Sequence, residues 1–276
     1  VLTLEGVGYR YAGARADAIS GITLTLREGR VTGLAGAVAA GKSTVCLVAG
    51  GLAPRVVGGR SVGRLLVDGA DVAAWPMYRL AEQVVTGLQD PAGQLSLVAP
   101  TVEDEVAFGP ANLGLERAEI MARTEEAMCL VGVVDMRHRD PARLSGGQQQ
   151  LVVLAGLMAM RPRHLVLDEP VAHLDAAGAR QVLSAIRAIA ESGTAVLLAE
   201  QRTWALEQVC DSLALLAAGN LVEQGDPATI LGAAVTASLG VEAPALPRLR
   251  RTLMTAGLDP AWLDAADAEP TTGAGA

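Results

Sequence analysis

Aromatic side chains are nearly absent: one Phe, three Trp and three Tyr make up 3% of a 276-residue chain that is 51% hydrophobic. Ala, Val and Leu must therefore fill the interior, which suits helices packed on a Val/Leu-rich parallel sheet. Positive charge is also in deficit. A formal net charge of −8 supplies no basic field to hold a phosphate backbone, which argues against nucleic acid as a partner. Cysteine is scarce, and Cys46, Cys129 and Cys210 show no CxxC pairing. That fits a reduced, cytosolic compartment better than a disulfide framework. No apolar run reaches the roughly eighteen residues of a membrane-crossing helix; the richest, "LVVLAGLMAM" from Leu151, is about half as long.

What is present is enough chain for one large α/β domain with a small appendage and a sizeable core. The opening "VLTLEGVGYRY" alternates as a strand does and lacks the basic start and cleavage site of a signal peptide, so the chain is expected to begin directly in structure. A second strand-like stretch, "ITLTLR", follows, giving an antiparallel opening. "VTGLAG" then reads as a short apolar strand, followed by a Gly/Ala loop and a helical "KSTVCLVAGGL". Between about 90 and 150 the pattern turns helical in "TVEDEVAFG" and "RAEIMARTEEAMCLVG", an insertion. The runs "HLVLDE", "TAVLLAE" and "SLALLAAG" restore strands, separated by helices such as "AAGARQVLSAIRAIAES", in the alternation of a parallel sheet. Residues 1–226 are expected to form the main domain and 227–276 a tail with one helix, "RLRRTLMTAGL". The last ten or so residues carry too little apolar material to fold.

Three stretches carry chemistry. "GAVAAGKST" fits the phosphate-loop pattern G-x-x-x-x-G-K-[ST] over Gly36, Ala37, Val38, Ala39, Ala40, Gly41, Lys42, Ser43 and Thr44. Such a loop turns backbone N–H groups and a helix N-terminus toward the β- and γ-phosphates, with Lys42 as point charge and the Ser43 hydroxyl on Mg²⁺. A bare Gly/Ala loop is the plainer reading, and the flanking strand and helix argue against it. "LVLDEP" ends an apolar strand in two carboxylates. Asp168 is placed to serve Mg²⁺ through water, and Glu169 to act as the general base on the attacking water. Alone, such a strand end is commonly just solvated; after a phosphate loop it reads as functional. In "LSGGQQQ", Ser145, Gly146, Gly147 and Gln148 open a helix with unpaired N–H groups, an anion site. An ordinary Ser-capped helix start is the alternative. A second anion site beside a phosphate loop suggests ATP shared between two molecules.

In chain order, phosphate loop, then "LSGGQ", then "LVLDEP", the three motifs resemble an ATP-binding-cassette (ABC) ATPase over about residues 2–225. The resemblance implies a P-loop cassette with an antiparallel β subdomain, a parallel-sheet core and a helical insertion, and two cassettes that enclose two ATPs. It also implies roles for single residues: Tyr11 stacking on adenine, Gln89 linking γ-phosphate and metal to a membrane partner, and Asp175 of "AHLD" as the D-loop aspartate. From position alone, Tyr11 reads equally as an ordinary strand aromatic. Gln89 read alone is a strand end, but "DPAGQLSLVAPTVEDEVAFGPANLGL" after it is similar to the energy-coupling-factor branch of the family, as is the tail "GVEAPALPRLRRTLMTAGL" less specifically. That branch implies a second ABC ATPase subunit, a transmembrane coupling protein and a small substrate-binding membrane protein. The cassette would then sit peripherally on the cytoplasmic face of the membrane, powering uptake of a vitamin or transition-metal ion.

The chain departs from the family pattern at four places. Ala39 replaces a third loop glycine, which matters if that residue needs positive φ. Leu151 and Val171 replace a frequent Arg and Thr that do not bond phosphate. Gln201, aligned through "AEQR" with the branch's "AEHR", replaces the histidine that bonds the γ-phosphate. Glutamine keeps a donor but cannot become cationic, so the chain's own site is expected to be slow while the site its "LSGGQ" completes is not. An asymmetric pair with a histidine-bearing cassette follows, with a sluggish homodimer and compensation by His173 as alternatives. A non-hydrolytic regulatory module and a soluble non-transport ABC protein are the rival readings of the whole.

Overall fold

In the computed structural model, which describes residues 1–96, 98–256, 258 and 259, two sheets share the chain. Ten strands run in order: β1 (Leu2–Arg10), β2 (Ile19–Leu26), β3 (Val31–Ala35), β4 (Arg60–Val67), β5 (Ala70–Asp71), β6 (Val84–Gly87), β7 (His164–Asp168), β8 (Ala195–Ala199), β9 (Ser212–Ala217) and β10 (Asn220–Gly225). Ten helices accompany them: α1 (Lys42–Ala49), α2 (Met77–Ala81), α3 (Val102–Asn112), α4 (Arg117–Val131), α5 (Gly146–Ala159), α6 (Ala176–Glu191), α7 (Thr203–Val209), α8 (Pro227–Gly232), α9 (Ala234–Ser238) and α10 (Ala245–Thr255). None of the described helices is long and apolar enough to cross a membrane.

The antiparallel sheet has the order β2-β1-β4-β5 and the larger sheet β10-β9-β3-β8-β7-β6. In the larger sheet β3 pairs in parallel with β8 and β9, β8 with β7 and β7 with β6; β10 alone runs antiparallel, against β9. Every residue of β3, β7 and β8 is buried, because both faces of this sheet are covered. Side chains divide between those faces with the strand period of two. Val196 and Leu198 join one apolar cluster with α5 and α6, whereas Ala195, Leu197 and Ala199 join the other with α1 and the antiparallel sheet.

The helical stretch begins at well-made caps. Thr101 accepts the Asp104 N–H at 3.2 Å, and Glu103, Asp104 and Glu105 place negative charge in the first turn of α3, where the helix dipole favours it. Helices α3, α4 and α5 pack on one another, and α5 continues the stretch to Ala159. Three strands escaped the sequence reading. β4 and β10 bury little, so no apolar alternation marks them, and β5 has only two residues. The helix expected from "RLRRTLMTAGL" appears as α10; the final segment expected to be unfolded lies outside the described residues.

Candidate active site

The phosphate loop occupies the C-terminal edge of the larger sheet, between β3 and α1. Its start must be glycine: a Cβ on Gly36 would lie 2.7 Å from the Leu216 carbonyl oxygen and 2.9 Å from the Ala40 Cβ. Ala39 adopts φ 62°, the left-handed conformation that the glycine usual at this position takes without cost, so the alanine carries strain of about 1 kcal/mol. Lys42 is buried, and its Nζ folds back to donate to the Gly36 and Ala37 carbonyl oxygens at 2.9 and 3.2 Å. The same ammonium lies 3.9 Å from Glu169 Oε1.

Strand β7 carries Asp168 and Glu169 to this loop, its register fixed by pairing Asp168 with Ala199 of β8. Glu169 turns out of the strand at φ 49°, its N–H held by the Ala199 carbonyl at 2.8 Å. Both of its carboxylate oxygens are engaged. Gln201 Nε2 donates to Oε1 at 2.7 Å and Gln89 Nε2 to Oε2 at 3.3 Å. Gln89, Glu169 and Gln201, just past the ends of β6, β7 and β8, therefore meet in one cavity with the phosphate loop. Asp168 Oδ1 is buried without a partner. Burial raises the Asp168 pKa above the ordinary aspartate value; the Ser43 hydroxyl opposes the rise and the Glu169 charge adds to it. Behind them Glu200 is 1% exposed, and burial raises its pKa although its Oε1 accepts the Gln201 and Arg202 N–H groups at 2.7 and 3.1 Å.

A cavity of about 620 Å³ opens over these groups. Tyr11, Val38, Ala39, Ala40, Gly41, Lys42, Ser43, Thr44, Gln89, Glu169 and Gln201 all line it, and Tyr11 is tied to the loop by its hydroxyl, 3.0 Å from Thr44 Oγ1. Four lining residues were not foreseen: Asp17, Ala18, Ala218 and Gly219. Gly219, at the β9–β10 turn, bonds the Ala40 carbonyl through its N–H and the Ser20 N–H through its carbonyl. A Cβ there would meet Ala18 O at 2.6 Å, and the "AAGN" turn was the only signal of it.

Ser145, Gly146, Gly147, Gln148 and Asp175 do not line this cavity. Ser145 and Gln148 instead cap α5 reciprocally, the Ser145 N–H bonding Gln148 Oε1 at 3.1 Å and the Gln148 N–H bonding Ser145 Oγ at 3.4 Å. Asp175 caps α6 by accepting the Gly178 N–H at 2.7 Å. The two helix starts touch through glycines, since a Cβ on Gly147 would lie 3.3 Å from Gly178 Cα. His173 is exposed and does not line the cavity.

A buried lysine, a tight loop leading into the start of α1 and a carboxylate pair can together hold a nucleoside triphosphate and position a water. Among the described residues no group of three or more His, Cys, Asp or Glu forms a metal cage. Asp168, Ser43 and the Gln89 amide oxygen would suit Mg²⁺, which keeps waters and takes substrate phosphates as its other ligands, and the partnerless Asp168 oxygen fits that role.

Strand, phosphate loop and helix, with an acidic strand end beside them, define a P-loop nucleotide-binding domain. The chain belongs to the ABC transporter family, whose model matches residues 19–172. A putative ABC transporter ATP-binding protein of Streptomyces avermitilis is 38% identical over 84% of this chain; the chain spans 42% of that relative's length. The energy-coupling factor transporter ATP-binding protein EcfA1 of Symbiobacterium thermophilum is 42% identical over 67% of the chain and 65% of its own length. Among solved structures, cbiO1 from Clostridium perfringens, part of the ABC transporter complex cbiONQ, superposes with a TM-score of 0.76 at 26% identity, covering 91% of this chain and 98% of its own.

Proposed function

We propose that this chain binds and hydrolyses MgATP as one of a pair of cassettes in an energy-coupling-factor type importer of a vitamin or transition-metal ion. It would work on the cytoplasmic face of the membrane, under a transmembrane coupling protein and a small substrate-binding membrane protein. The likeness to EcfA1 and to cbiO1 supports that branch. So does an apolar groove of about 460 Å³ between β6, α3 and α5, lined by Leu88, Phe108 and Leu157, with Leu88 immediately before Gln89 in the chain. A helix of a membrane partner fits such a groove.

The observation that carries hydrolysis is Glu169, held over the phosphate loop by Gln201 and Gln89. In this reading Glu169 takes the proton of the attacking water, a contribution of about 10²- to 10⁴-fold in rate. The N–H groups of Gly36 to Thr44 and the Lys42 charge hold the phosphates, and Tyr11 stacks on adenine. Ser43, Gln89 and Asp168 hold Mg²⁺, which when bound neutralises charge on the phosphate oxygens. Ser145 to Gln148 and Asp175, remote from this cavity, serve the nucleotide on the partner's loop.

Gln201 sets the speed. Its amide has two hydrogens, one spent on Glu169 and one free for phosphate, so it aligns the base but brings no positive charge. Loss of a well-aimed donor outright costs about 10²- to 10³-fold in turnover; Gln201 keeps the donor and lacks only the charge, so its site is slowed by less than that, which favours a mixed pair with a histidine-bearing cassette. Phosphate release by the purified chain, alone and with its partner cassette, is the test. Gln201→His is expected to speed it and Glu169→Gln to abolish the Mg²⁺-dependent part; unchanged rates in both variants would sink the hydrolytic reading and favour a regulatory ATP-binding module.

A further inference from the structure

Two loops leave the carboxyl end of the sheet on either side of the reacting centre, and a single side chain ties them together. One loop follows Glu169. It turns through Ala172, whose N–H bonds the Glu169 carbonyl at 3.1 Å, and Leu174, whose N–H bonds the Val171 carbonyl at 3.2 Å, before Asp175 starts α6. The other follows β8 and carries Gln201. The Arg202 guanidinium reaches from the second loop to the first: Nη1 donates to the Leu174 carbonyl at 3.0 Å and Nη2 to the Ala172 carbonyl at 2.9 Å. No backbone N–H in the loop and cap hydrogen bonds of the described residues reaches either oxygen.

We infer that Arg202 is a positioning residue for hydrolysis, a staple that fixes the Gln201 turn against the loop leaving Glu169 and so sets the contact between the two. The fork matters here. Two carbonyls two residues apart present two acceptors, and a planar guanidinium meets both with parallel N–H groups in a fixed geometry that a lysine ammonium lacks. The turn is held from its other side as well, because the buried Glu200 accepts the N–H groups of Gln201 and of Arg202 itself. With the turn clamped by Glu200 below and Arg202 across, the Gln201 amide stays 2.7 Å from Glu169 Oε1. Arg202 does not line the cavity, so it acts on the reaction through Gln201 and Glu169 and not on the nucleotide. The staple also continues outward. Leu174 precedes Asp175, the cap of α6, and α6 packs through Gly178 against Gly147 at the start of α5, so a path of hydrogen bonds, chain and glycine packing joins the base to the Ser145–Gln148 segment.

This role rests on the ATPase reading above, and the experiment separates the two. Wild type, Arg202→Lys and Arg202→Met are compared as full chains for MgATP affinity, for saturated phosphate release, and for amide hydrogen exchange over 170–176 and 200–203 without nucleotide. A misplacement of about 1 Å costs on the order of 10²-fold in rate. The staple predicts that Arg202→Met loses about that much kcat, that Arg202→Lys recovers part of it, that affinity stays within about twofold, and that exchange speeds up at Ala172 to Asp175. Unchanged kcat, or affinity falling in step with kcat, overturns it. Should the wild type itself release no phosphate with Mg²⁺, the ATPase reading fails, and exchange alone decides the staple: equal protection in wild type and Arg202→Met removes it, faster exchange in the variant keeps it.

Discussion

At Ala39 a single methyl group sits where the backbone turns left-handed. Relieving it by Ala39→Gly trades about 1 kcal/mol of strain against the larger unfolded-state entropy of glycine, about 0.5–1 kcal/mol. Global stability should thus change by no more than about 0.5 kcal/mol, and because the loop is already left-handed at Ala39 without nucleotide, MgATP affinity should stay the same; denaturant unfolding and a nucleotide titration read the two separately. Asp168 gives a sharper case. Its carboxyl pKa is raised by burial, so the unfolded chain ionises before the folded one, and folding loses stability as pH rises through the ordinary aspartate range and stays weaker above it. Asp168→Asn removes that loss, so at neutral pH without Mg²⁺ the variant should melt higher than wild type while losing Mg²⁺-dependent phosphate release. A lower melting temperature would contradict the burial argument. At this scale the sequence was most informative where a motif fixes geometry by itself: the loop from Val38 to Thr44, Gln89, Glu169 and Gln201 all line one cavity, with Gly36 and Ala37 just behind it accepting from Lys42. It was silent on the role of Arg202 and marked Gly219 only as a turn, because their partners lie far along the chain on other turns.

The elements show why some segments were legible and others were not. β7 and β8 read plainly as strands because burial on both faces demands an unbroken apolar run. β4 buries almost nothing along its length and its pairing with β1 is interrupted by a register shift between Glu5 and Gly8, so neither alternation nor composition marks it. The central position of β8 makes a prediction of its own. Leu197 is fully buried between β3 and β7, and Leu197→Ala should cost about 2–5 kcal/mol by cavity formation. Because β8 also delivers Gln201 to Glu169, the variant should lose turnover at temperatures where it is still folded, measurable as an ATPase midpoint below the unfolding midpoint.

For the molecule as a whole, pH couples to stability through a residue far from the cavity. His164, at the start of β7, is fully buried and burial lowers its pKa to about 4. The unfolded chain therefore takes up a proton that the folded chain refuses, and stability present above the ordinary histidine value is lost as pH falls toward 4. Between pH 7.5 and pH 5 the loss should be about 2 kcal/mol, and His164→Gln should flatten that slope in denaturant titrations. The reciprocal Ser145–Gln148 cap has a consequence at the same scale. An anion reaching the start of α5 finds no vacant donor at its third residue and must swap places with a hydroxyl already there, an exchange of one hydrogen bond for another with little net gain. Only the Gly146 and Gly147 N–H groups stay open to it, so free phosphate should gain little at this helix end, and a ligand held in place by a facing surface is what displaces the serine.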